Sequence, residues 1–120
     1  MNKNDMDLFL QTPLLVLHLN TLKILGYFLN TQKILPSAKG FNRDWRGLAK
    51  IADLSLEEIN QLQSDSNPTK EVILRWCKKT KKGTSERISV QDFFDCVINT
   101  LDRPDVYDET TAIGKLSIQM

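Results

Sequence analysis

Side chains able to do chemistry are few in this sequence, and they do not converge. The single histidine, His18, has no identifiable partner base or nucleophile, and imidazole catalysis requires one. Cys77 and Cys96 fall inside helical patterns without metal-ligand spacing, so they read as buried, reduced thiols. No metal cluster, phosphate loop or cofactor motif is written in the chain, and the reading is that of a protein without catalysis. What remains is charge. Residues 78–82 read KKTKK, with Arg75 just before them, whereas Asp102, Asp105, Asp108 and Glu109 crowd a segment opposed only by Arg103.

The whole chain is nearly balanced, with 16 lysines and arginines against 15 acids and a net charge of +1. That total gives no general pull toward nucleic acid or a membrane surface. Segregated signs within a neutral total favour docking between complementary protein patches. The 120 residues, 41% hydrophobic and 26% charged, suit one globular domain with a modest core. The apolar segment Leu14–Leu19 is too short to span a bilayer and is interrupted by His18. No signal peptide is evident, which implies a cytoplasmic setting without membrane insertion.

The elements that must position these charges are helical. Residues 1–12 read as a leader that is mobile or loosely docked. Thr12-Pro13 suits a helix start, and Leu14, Leu17, Thr21, Leu25 and Phe28 then recur at helical spacing, widened by Leu22 and Leu29. Gly26 weakens this helix by roughly 1 kcal/mol relative to alanine, which close packing against a neighbour would explain. A long connection with Pro36, Ser37 and Gly40 follows. Asp44 can cap a second helix to Ala52 with Trp45, Leu48 and Ala49 inside. Ser55 and Glu58 make a capping box for a third helix, whose inner face is Leu56, Ile59 and Leu62.

Asn67-Pro68 opens a fourth helix bearing Val72, Ile73, Trp76 and Cys77, and residues 78–88 are expected to be a basic loop around Gly83. Ser89 and Asp92 cap a fifth helix with the clearest periodicity of all, Val90, Phe93, Phe94, Val97, Ile98 and Leu101. A sixth runs from Arg103 to about Glu109, and residues 110–120 read as linker. Isolated helices below about 12–15 residues are marginal in water, so these must pack into one bundle. Trp45 and Trp76 serve as core residues by their spacing, although tryptophan also anchors interfaces.

Four stretches, in order, carry a resemblance: Leu25–Asn30; Asp44-Trp45 with Leu48-Ala49; Ile59 with Gln61-Leu62; and Asn67-Pro68-Thr69 leading to Leu74 and Trp76. The segment Asp102–Val106 adds an acidic turn. Over residues 13–109 the chain resembles a death domain, more narrowly those of the myeloid differentiation primary response adaptor family of Toll and interleukin-1 receptor signalling. The resemblance implies an all-α, six-helix antiparallel bundle of Greek-key topology with no cofactor. It also implies a Toll/interleukin-1 receptor domain downstream, so the chain looks like a fragment. The longer first loop, Gln32–Arg43, and the lysine-rich segment depart from the vertebrate pattern and suggest an invertebrate or divergent member.

That likeness implies homotypic assembly with death domains of the same chain and of downstream kinases or adaptors, through heterologous contacts that build a helical oligomer. The charge map supplies its candidate surfaces. Arg75, Lys78, Lys79, Lys81 and Lys82 form a basic patch, with Asp102, Asp105, Asp108 and Glu109 as an acidic counterpart. Asp53, Glu57 and Glu58 form a second acidic surface that would meet Lys39, Arg43, Arg46 or Lys50 of a neighbour. Two other readings compete. The death domain of an interleukin-1-receptor-associated kinase or its insect counterpart would share the fold, and flanking sequence separates the two. LAKIADLSLEEINQLQ also resembles a DNA-binding helix-turn-helix. Its recognition helix, however, would bear Glu57 and Glu58 and no basic residue, and would face a polyanion. The KKTKK run likewise lacks the aromatic interleaving that single-stranded nucleic acid favours.

Overall fold

Reciprocal side-chain caps fix where the helices begin. The Ser55 hydroxyl accepts from the Glu58 amide (3.1 Å) while Glu58 accepts from the Ser55 amide (3.3 Å), and Ser89 with Asp92 repeats the arrangement at 3.1 and 3.0 Å. Each box satisfies amides that a helix start leaves without partners. The computed structural model describes residues 8, 10, 11, 19–83 and 88–110. From residue 19 onward it contains six helices: α1 (Leu19–Leu29), α2 (Trp45–Ile51), α3 (Leu56–Leu62), α4 (Pro68–Gly83), α5 (Val90–Asn99) and α6 (104–110). No strand occurs among the described residues; Pro36 and Asn42 form an isolated bridge. The described residues from 19 onward thus form an all-α, six-helix bundle.

Helix α4 is the hub. It packs against α1 and α2, and α2 also meets α5. Leu25, Leu29, Trp45, Leu48, Val72, Ile73, Phe93, Phe94 and Leu101 are buried in one continuous cluster. Each large side chain buried this way contributes roughly 1.5–3 kcal/mol. Trp45 lies inside as its spacing requires, and half-buried Trp76 sits 6.5 Å from the Phe93 ring. Val106 carries α6 into the same core, where the Tyr107 ring meets Phe94 edge-on at 5.1 Å.

Two glycines mark close approaches. A Cβ on Gly26 would come within 2.5 Å of Asn67 Oδ1, so the neighbour foreseen for that glycine is the turn that opens α4. A Cβ on Gly47 would collide with the Asn42 carbonyl oxygen, which is backbone and cannot swing aside.

The structure corrects several expectations. Residues 78–83 are not a loop, because α4 continues through them to Gly83. Lysine is a good helix former, and its charge complements the negative end of the helix dipole. Leu56 does not face inward, being 73% exposed, and Leu54 is buried instead. Leu54 and Ile59 occupy N′ and N4 around the Ser55 cap, the positions of a hydrophobic staple. In the leader, residues 8, 10 and 11 are helical and Leu10 packs against the core. Helix α6 includes Thr110, which is buried, one residue past its expected end. The Thr12-Pro13 start, His18 and residues 111–120 lie outside the described residues.

Candidate protein-binding surface

The long connection between α1 and α2 is held at both ends. Fully buried Asp44 caps α2 through the Arg46 amide (2.9 Å) and accepts from the Lys33 amide (2.8 Å). Its carboxylate is also paired with the Arg46 guanidinium at 2.8 and 3.0 Å. Burial pushes the Asp44 carboxyl upward, but the hydrogen bonds from Arg46 and the Lys33 amide outweigh it and hold the group below its ordinary range. At its middle the Ala38 amide donates to Asp102 Oδ2 at 2.7 Å. Within the connection, Phe41 and Ser37 close a turn on themselves.

Arg103 ties the α5–α6 junction to the end of α1 and the approach to α2. Its buried guanidinium donates to the Arg43 carbonyl (2.6 Å) and the Phe28 carbonyl (3.4 Å) and pairs with Asp105 at 3.0 Å. The side-chain hydrogen bonds from Arg103 keep the Asp105 carboxyl below its ordinary range. Asp102 adopts a left-handed backbone (φ 55°), and so does Asp53 (φ 61°) in the α2–α3 turn. Both stand just past a helix end, where glycine is favoured and aspartate is tolerated.

These contacts redraw the charge map. Arg46 is engaged with Asp44, Arg43 Nη2 reaches the Asp102 carbonyl at 3.4 Å, and Arg75 pairs with Glu58 at 3.4 Å. Arg75, expected in the basic patch facing Asp102, Asp105, Asp108 and Glu109, and Glu58, expected to meet Lys39, Arg43, Arg46 or Lys50 of a neighbour, pair instead with each other within one molecule. Asp102 and Asp105 likewise hold the protein's own loop and Arg103. Exposed candidates are Lys39, Lys50, Asp53, Glu57, Lys78, Asp108 and Glu109, and Asp105 is exposed as well despite its pairing with Arg103. Lys79, Lys81 and Lys82 continue α4. Charge patterning does not reveal the exposed apolar side chains: Ile34 is 100% exposed, Leu35 71% and Tyr27 80%. The signal for the first two is an Ile-Leu pair placed before Pro36, outside any helical periodicity.

Burial raises the Cys77 thiol above its ordinary range, and Cys96 is raised by burial together with Asp95 and Asp92. Both are held as thiols, the poorly nucleophilic form. Among the described residues, no group of His, Cys, Asp or Glu side chains is gathered to hold a metal. No helix among them is long and apolar enough to cross a membrane. No family model, no curated protein and no solved structure matches the chain.

Proposed function

We propose that this chain is a cytoplasmic signalling adaptor module that oligomerises through death-domain contacts and recruits kinase death domains downstream of Toll/interleukin-1-type receptors. The observation that carries the reading is the joining of the stretches on which the resemblance rests. Asn30, which ends the Leu25–Asn30 stretch, donates to Asn67 Oδ1 at 3.1 Å. It also accepts from the Thr69 hydroxyl (2.6 Å) and amide (3.0 Å) of the Asn-Pro-Thr turn. The Asp44-Trp45 pair supplies a buried cap and a core ring. Exposed charges of both signs on separate elements support docking over catalysis: Lys78 on α4, Lys50 on α2, and Glu57 on α3. The module does no chemistry; assembly brings attached kinases together.

The test is co-assembly. Mixed with death domains of interleukin-1-receptor-associated kinases, the chain should form large oligomers by light scattering. Glu57→Arg should weaken them, more visibly at low salt. No co-assembly, or duplex DNA binding that Glu57→Arg improves, overturns the reading.

A further inference from the structure

We propose that the Ile34–Leu35 tip of the α1–α2 connection inserts into the cavity between α5 and α6 of a second copy of this chain, making a head-to-tail contact. This rests on the assembly reading above and gives it a specific apolar interface. The tip is built to be presented. Lys33, immediately before it, is fixed by its amide to Asp44 and by its carbonyl to Arg46 (3.4 Å), and Pro36, immediately after it, bridges to Asn42. A pre-ordered apolar projection loses little conformational freedom when it docks.

The receptor is a cavity of about 260 Å³ lined by Leu10, Gln91, Phe94, Asp95, Ile98 and Tyr107. An enclosed apolar cavity of about 150 Å³ already takes up benzene, and this larger, partly open volume has room for a pair of branched aliphatic side chains. Ile34 is fully exposed, so the tip does not fill the cavity of its own molecule. Charge complementarity selects a second copy as the occupant. Exposed Lys33 and Lys39 accompany the tip, while exposed Asp95 lines the cavity and exposed Asp108 neighbours Tyr107 in sequence. Tip and cavity are different surfaces of one chain, so the contact is heterologous and can repeat without closing.

The experiment uses two variants of the full chain. Ile34→Asp with Leu35→Asp removes the tip and keeps the cavity. Gln91→Lys with Asp95→Lys blocks the cavity and keeps the tip. All four positions are exposed, so circular dichroism should match the original; melting should match for the tip variant and fall only slightly for the cavity variant, where a cation in the first turn of α5 opposes the helix dipole. By sedimentation, each variant alone should lose self-association by roughly a hundredfold. An equimolar mixture should recover a one-to-one dimer, because one good tip then meets one good cavity. Self-association that survives in either variant overturns this contact while leaving the adaptor reading intact. A wild-type chain that stays monomeric, or a mixture that forms no dimer, also overturns it. Kinase-domain co-assembly is then the separate judge of the adaptor reading.

Discussion

Asp44 does three things with one carboxylate: it caps α2, anchors Lys33 and neutralises Arg46. Removing it leaves a guanidinium and two amides without their acceptor. Asp44→Ala should therefore cost about 2–4 kcal/mol in urea denaturation, more than a cap alone. The pH dependence has a definite sign. The folded carboxyl titrates below its ordinary value of 3.8, so its stabilisation is complete above that value. It fades as pH falls through the lower folded-state value. Asp105 is lowered as well and adds to the same acid loss. The stability gap between the original chain and Asp44→Asn should be constant near neutrality and narrow below pH ~4. A gap that stays constant into acid would show that the Asp44 charge contributes nothing.

At the scale of elements, what the sequence reveals depends on how local the controlling contact is. The capping boxes at Ser55 and Ser89 are legible because both partners lie three residues apart. The buried stripe of α5 is legible because its period repeats without interruption. Leu54 and Leu56 are harder to assign, since either can complete an apolar face with Ile59, and the cap geometry decides between them. Leu54→Ala should cost about 2–3 kcal/mol, and Leu56→Ala should stay within about 0.5 kcal/mol, both read by chemical denaturation. Equal losses would return Leu56 to the core. The extent of α4 is hidden by composition: KKTKK suggests solvent and therefore a loop, although nothing in it breaks a helix before Gly83. The engaged state of Asp102 is beyond local reading altogether, because its partner Ala38 lies 64 residues away.

For the whole molecule, the position of the lysines changes how the basic patch should be probed. Glutamates in place of Lys78, Lys79, Lys81 and Lys82 would oppose the dipole at the end of α4 and destabilise the helix itself. Glutamine at all four removes the charge without that penalty. Co-assembly with kinase death domains should then fall while the melting temperature moves little, measured by light scattering and thermal denaturation of the same samples. Unchanged assembly would reduce the run to a solvated helix end. The inward-facing charges behave differently. Arg103 joins α6 to the carbonyls of Phe28 and Arg43, so its loss should lower stability before it affects any docking surface.

The Asn30–Thr69 hydrogen bond also sets a clock. The Thr69 amide lies in the first turn of α4, where no earlier carbonyl of the helix is available to it, and its acceptor belongs to a residue 39 positions away. Deuterium can therefore replace that proton only when the α1–α4 seam parts, whereas fraying of α4 alone leaves Asn30 in place. In a hydrogen-exchange experiment Thr69 should exchange with the slow amides of the core rather than with the helix ends. Asn30→Ala should release it selectively, with Phe93 and Val97 still protected. One amide would then report whether the first and fourth helices open as a unit.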